Sequence, residues 1–120
     1  MTLIKNTSAL LLLCLVITGC ATQKELYHWG SYEGLVRNMY VAPDKATATI
    51  QIDQLNLDIQ KSESEGKNPP PGVYAHLGMM YASIDQADSA IDALQKEKAA
   101  YPESSVLIET LLRNNKGVQK

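Results

Sequence analysis

Charge is missing from the N-terminal stretch of this sequence: after Lys5, no Asp, Glu, Lys or Arg occurs over residues 6–23. Missing too is a hydrophobic run of membrane-crossing length. The apolar heart of the stretch covers residues 9–17, against the ~20 apolar residues needed to traverse a bilayer. A basic start, a short apolar core and small residues after it are the layout of a cleaved signal peptide. Cysteine is scarce, with only Cys14 and Cys20 in 120 residues. There is no glycine-rich loop of the kind that cradles phosphate.

At the end of the apolar core stand Ile17, Thr18, Gly19 and Cys20. An aliphatic residue, two small residues and a cysteine resemble the bacterial lipobox. The resemblance implies cleavage between Gly19 and Cys20, a diacylglyceryl thioether on the Cys20 sulfur, and a further acyl chain such as palmitate on its freed amine. One chain gives marginal membrane binding at ~0.8 kcal/mol per buried methylene, so several make a lasting anchor. Ala21 follows, where an aspartate would favour inner-membrane retention in enteric-type bacteria. The expected address is therefore the outer membrane, facing the periplasm.

Processing removes Cys14 and alkylates Cys20, leaving no free thiol and no intrachain disulfide. The mature chain, residues 20–120, has 101 residues, enough for one small domain. Losing Lys5 leaves 10 of 11 basic side chains against 13 acidic ones, a net charge near −3. With no basic patch interleaved with aromatics, nucleic acid is excluded as an expected partner. Residues 20–25 form the lipidated cysteine and a tether. Five extended residues reach at most ~17 Å, so the domain is expected close to the lipid surface.

The spacing predicts an all-α domain over residues 26–115, about five helices in a small antiparallel array, with a frayed tail over residues 116–120. The first helix is expected over residues 26–40, with Leu35, Val36, Met39 and Tyr40 on its buried face. Pro43 suits the first turn of the element that follows. Residues 48–60 carry two patterns. Ile50, Ile52, Leu55, Leu57 and Ile59 alternate as in a strand, while Ala48, Ile52, Leu55 and Ile59 share one helical face. Composition and length favour a helix ending at Gly66. Its second stripe, Ile50 and Leu57, suggests a helix sandwiched between two others.

Pro69, Pro70, Pro71 and Gly72 read as a stiff connector. A helix is expected from Val73 to Ile84 with Val73, Leu77, Met80 and Ile84 inward. Another is expected from Ala87 to Tyr101 with Ala87, Ala90, Ile91 and Leu94 inward. Beyond Pro102, Ser104 or Ser105 is expected to cap a last helix carrying Val106, Leu107, Leu111 and Leu112.

Tyr74, Leu77, Gly78, Tyr81, Ala90, Leu94 and Pro102 resemble the spacing of a tetratricopeptide repeat. The resemblance implies that Gly78 lets the second helix approach at Ala90, that Asp85 takes a left-handed turn, and that Met79, Ala75 and Ala82 face a concave groove. Methionine there suits adaptable peptide binding, or plain packing on a neighbouring helix. Glu97 stands where the repeat usually has alanine. Flanking helices would act as partial repeats or caps.

A longer string is similar to a family of small outer-membrane lipoproteins of unknown function. It runs from Leu26, Tyr27, His28, Trp29, Gly30, Ser31, Tyr32 and Glu33 through Pro70, Pro71, Gly72, Ala75, His76, Leu77, Gly78 and Tyr81 to Pro102, Glu103, Ser104, Leu111 and Leu112. Members are typically encoded beside a lipoprotein like the curli secretion channel. This implies a role in envelope assembly or transport and no reaction.

Chemistry is hard to assemble from what remains. His28 and His76, expected on different helices, lack metal-ligand spacing, so His76 reads as a structural hydrogen-bonding residue and no metal or cofactor is expected. Asp85, Asp88 and Asp92 fall at solvent-face spacing. Trp29 with Tyr27 and Tyr32 gives either an exposed aromatic patch or packing of the first helix.

The expected function is a non-catalytic interaction module binding another envelope lipoprotein or a secretion channel, with no small-molecule substrate. Its candidate partner-binding residues are Trp29, Tyr32, Ala75, Met79 and Ala82. One alternative is a small envelope enzyme or peptidoglycan-remodelling factor using a carboxylate pair such as Glu33 and Asp53. Another is a structural stabiliser of neighbouring lipoproteins.

Overall fold

A computed structural model of the chain describes residues 25–117, with side chains to Asn114. Gly19, Cys20, the rest of the expected signal peptide, most of the expected tether and the last three residues lie outside the described residues. Within them are five α-helices: α1 (Tyr32–Val41), α2 (Ala48–Ser64), α3 (Val73–Ser83), α4 (Ala87–Ala100) and α5 (Ser105–Gly117). Two 3-10 turns, Pro43–Lys45 and Pro102–Ser104, each place a proline at a first helical position, where its missing N–H has no cost.

Helix α1 starts six residues later than its periodicity suggests. Gly30 takes φ +50°, and Ser31 turns both its N–H and its hydroxyl onto Asp58 Oδ2 of α2, at 3.1 and 2.8 Å. A Cβ at Gly30 would stand 2.6 Å from the Asp58 carboxyl carbon. Residues 25–31 are thus a strap pinned to α2 rather than a turn of helix, and His28 lies on this strap, not on a helix. The buried face also differs. Leu35 is the residue of α1 that is buried, Val36 and Met39 are half-buried, and Tyr40 is 81% exposed. At 100° per residue Tyr40 lies about 140° around from Leu35, so the neighbour that covers one cannot cover the other.

These geometries give the two glycines of this region opposite expected responses. Gly30→Ala forces a left-handed backbone on an L-residue and pushes Asp58 aside, costing about 2 kcal/mol. Gly34, inside α1, has open space around a would-be Cβ, so Gly34→Ala is expected to stabilise by roughly 0.5–1 kcal/mol. Urea midpoints of the two variants should move in opposite directions.

In α2, Thr47 Oγ1 accepts the Ile50 N–H at 3.4 Å, and Gln51, Ile52, Leu55, Ile59 and Ser62 form the buried face. Its C-terminus closes as expected: Gly66, at φ +66°, donates to the Glu63 carbonyl, while Lys67 reaches back to Ser62. That is the paired capping of a helix end by a left-handed glycine. The sandwich is not seen. Helix α2 packs on α3 and less extensively on α1, and Ile50 and Leu57 are exposed. Both neighbours share the Ile52–Leu55–Ile59 side, so the second stripe has no cover among the described residues.

Helices α3 and α4 form the tightest pair. Asp85 turns the chain between them at φ +61°, with Asp85 N–H to Ala82 and Gln86 N–H to Tyr81. The turn uses aspartate in the left-handed role, which short polar side chains tolerate best after glycine. Helix α3 lies between two apolar layers. One joins Leu35, Ile52, Leu55, Ile59, Val73, Tyr74, Leu77 and Ala93; the other joins Ala75, Leu94 and Ile108, flanked by Leu111 and Leu112. Ile84, expected inward at the end of α3, is exposed.

The register of α5 departs from expectation. Ile108 is fully buried, whereas Val106 is 80% exposed and Leu107 is also exposed. Ile108, Leu111 and Leu112 share a face; Val106 and Leu107 fall off it. The hydroxyls of Ser104 and Ser105 donate to the carbonyls of Tyr101 and Pro102, and among the described residues neither is seen to accept an amide as a cap would. The helix continues to Gly117, two residues past the expected boundary.

Candidate functional site

Three surface features gather the chemistry-bearing residues, and the hairpin supplies the first. Gly78, Met79, Ala82, Ser83, Leu94, Leu111 and Asn114 line a groove of about 320 Å³ between α3 and α5. Met79 stands 44% exposed above it, a flexible thioether that can adapt to an apolar partner. Ala82 is half-buried beside it. Ala75, expected on the same groove, is removed from it: it lies in the core against Leu94 and Ile108, because α5 lies over that turn of α3. Two of the three expected groove residues therefore come together on a surface.

The second feature is aromatic. Tyr27, Trp29, Tyr32 and His76 form a file with centroid separations of 6.3, 6.2 and 5.7 Å. The first and last contacts are nearly edge-to-face, the arrangement that ring quadrupoles favour. The outer members leave the core: Trp29 is 53% exposed, and with Tyr32, Glu33 and Val36 it lines an apolar hollow of about 500 Å³. Burial and then the Glu97 carboxylate raise the Tyr32 phenol above its ordinary range.

The third is a polar cleft of about 480 Å³ between α2, α3 and α4. In it Tyr74 donates to Glu63 at 3.0 Å and Asn56 donates to the Tyr81 hydroxyl at 3.1 Å. Asp92 is paired with Lys96 at 3.0 Å. Tyr74 is pushed up to about 12, first by burial and then by Glu63. Asp85, Asp88 and Asp92 are exposed, as their spacing suggested. Glu33 and Asp53, the carboxylates of the catalytic alternative, are exposed on α1 and α2 respectively, and Glu33 belongs to the aromatic hollow.

Buried polar groups beneath these surfaces went unseen in the periodicity. Gln51 donates to the Ala46 carbonyl, which fixes its amide orientation, so its Oε1 faces His76 Nε2 at 2.7 Å. An amide oxygen only accepts, so His76 donates from Nε2. Glu97, 2% exposed, accepts the Gly72 N–H through Oε1 at 2.7 Å, while its Oε2 has no protein partner. It caps the start of α3 from α4, which explains a carboxylate at a position where the repeat pattern has alanine. Tyr101 donates to the Pro69 carbonyl and locks the proline connector against α4; burial, then Tyr27, pushes its phenol up to about 12. A sequence signal existed for two of these: Gln51 lies one turn before Leu55, and Glu97 one turn after Ala93.

Burial lowers the pKa of His76 from 6.5, and the sign of the linkage follows. Below about pH 6.5 the unfolded chain takes up a proton that the buried ring refuses, so stability falls as pH drops through that value. The slope is at most about 1.4 kcal/mol per pH unit. Urea midpoints compared at pH 7.5 and 5.5 should show the loss in the native protein and lose that component in His76→Gln. Undiminished pH dependence in the variant would assign it to other groups.

Among the described residues no three His, Cys, Asp or Glu side chains cluster to hold a metal ion, and no helix is long and apolar enough to cross a membrane. Compared with known proteins, residues 26–111 match the family described as Domain of unknown function (DUF4810). No curated protein and no solved structure matches the chain.

Proposed function

The chain belongs to the DUF4810 family, and from that premise we propose that it is an envelope lipoprotein whose helical domain is a non-catalytic interaction module. Lipid on Cys20 holds it in the outer membrane, facing the periplasm. It serves an assembly or secretion system by docking on another envelope lipoprotein or a secretion channel. The carrying observation is the groove between α3 and α5, where Met79 stands exposed over Leu94 and Leu111. An apolar hollow floored by packed helices and topped by an adaptable side chain suits a short amphipathic segment of another protein.

Within this reading the α3–α4 hairpin is a tetratricopeptide-like unit, with α2 and α5 as partial repeats on either side. Supporting it are the close approach at Gly78, where a Cβ would meet Leu94 at 2.8 Å, and the left-handed turn at Asp85.

The test is a photo-crosslinking amino acid at Met79 in intact cells, with exposed Gln95 on α4 as the control position. Met79 should yield a discrete adduct with an envelope protein that Gln95 does not. Equal labelling from both positions, or none from Met79, would count against the groove as the docking surface.

A further inference from the structure

We infer that the aromatic end of the strap, Leu26 and Trp29 with Tyr27 and Tyr32 behind them, rests on the lipid surface at headgroup level and sets how the domain is oriented there. The inference depends on the anchor at Cys20 proposed above.

Position comes first. Leu26 is 79% exposed and Trp29 more than half so, although both are large and apolar, and the two stand three residues apart on the segment through which the chain leaves the described domain. From Cys20 to Leu26 the chain takes six residue steps and reaches ~22 Å at most, and Trp29 lies only three residues further. The strap cannot swing away from the body. Ser31 is held on Asp58 by two hydrogen bonds, and His28 lies 3.5 Å from Glu65 at the end of α2. The aromatic file therefore has a fixed attitude to the domain and a short leash to the lipid.

Charge and chemistry favour a bilayer over a dry protein core as what covers it. Beside the strap, the Glu65 carboxylate is shared by Lys61 at 3.5 Å, Lys67 at 3.0 Å and His28, so its charge is offset, and the carboxylate on the strap itself, Glu25, is exposed where it can stay in water. Indole and phenol rings combine an apolar body with a polar tip, the character that places them at the membrane interface. Glu33 lines the same hollow, and its carboxylate resists removal from water. The expected depth is therefore shallow.

Trp29 is the sole tryptophan of the chain, so its fluorescence reports this site alone. The full-length lipoprotein, purified from membranes, is reconstituted into vesicles of phosphatidylethanolamine and phosphatidylglycerol containing phospholipid brominated either high or low on the acyl chain. Flotation with the vesicles reads the anchor, and quenching reads the patch. The expected result is a floating protein quenched more strongly by the high bromine, with most of the quenching lost in Leu26→Glu, a substitution at an exposed strap position. A floating protein that neither bromine quenches overturns the inference and leaves the anchor standing. That holds whether its emission is steady or shifts blue as protein density rises, as a second copy on the patch would cause. A protein that does not float overturns both.

Discussion

Replacing Gly78 with valine is expected to cost about 3 kcal/mol, the upper part of the range for overpacked interiors. A Cβ at this position would lie 2.8 Å from Leu94 Cγ and 3.1 Å from the Ala90 carbonyl oxygen. Leu94 is buried and holds the second apolar layer to Ile108, and the Ala90 carbonyl is helix backbone, so neither contact can be relieved by a rotamer change. Helices α3 and α4 would have to part, loosening both layers at once. Against this stands the better helix propensity of valine over glycine, less than about 1 kcal/mol, which does not reverse the sign. For a domain near 90 residues, such a loss lowers the melting temperature by roughly 12–24 °C. Thermal and urea unfolding monitored by helical circular dichroism would measure it. A variant that melted with the native protein would mean that the two helices are not in the close contact described.

Gly78 also shows which parts of the molecule were legible in the sequence. Its role followed from the resemblance to a tetratricopeptide repeat, whose pattern sets a glycine one turn from Tyr74 against a small residue, Ala90, on the next helix. The Asp85 turn was legible through the same resemblance, while the Gly66 cap and the helical reading of residues 48–60 onward were legible locally, each met by residues within a turn or two.

What could not be read depended on partners far along the chain. Residues 26–31 have no local feature that forbids helix; it is Asp58, 27 residues away, that draws Ser31 out of one. Val106, Leu107 and Ile108 form a continuous apolar run whose phase is open until α4 selects Ile108. Ala75 and Ala82 look alike in sequence, and only the placement of α5 buries the first and leaves the second at the groove.

Buried polar groups were the other blind spot, and Glu97 explains why. Periodicity sorts residues by hydrophobicity, so a carboxylate on the inner face of α4 counts as an exception to the pattern instead of as a part. Its partner is the Gly72 amide, half-buried, which the connector aims toward α4 at the start of α3. A hydrogen bond to a charged acceptor of this kind contributes about 1.5–3 kcal/mol at most, less where water can compete. The proline run and Glu97 are therefore two halves of one joint. The same joint includes Tyr101 on Pro69, and together they hold the start of α3 while the aromatic strap crosses nearby through Tyr27.

Changing Cys20 to serine is expected to have the largest effect on the protein's whereabouts and little on its fold. The thiol is the acceptor in the proposed lipid transfer. A serine hydroxyl is a far weaker nucleophile at neutral pH, since a thiol ionises near pH 8.5 and reacts as its thiolate. The Cys20→Ser protein should take up no clickable palmitate analogue, retain its signal segment, and fractionate with the inner membrane instead of the outer one. Its helical domain should unfold at the same urea concentration as the native protein's, because the two apolar layers that hold it together are built from residues 32–112. The two readouts together separate the possibilities. Loss of label with unchanged unfolding supports Cys20 as the anchor. Label that persists, in protein still found with the outer membrane, would remove the anchor. Without it, the short leash that places Leu26 and Trp29 against lipid would have no basis, and the domain's surfaces would have to be reconsidered without a membrane beside them.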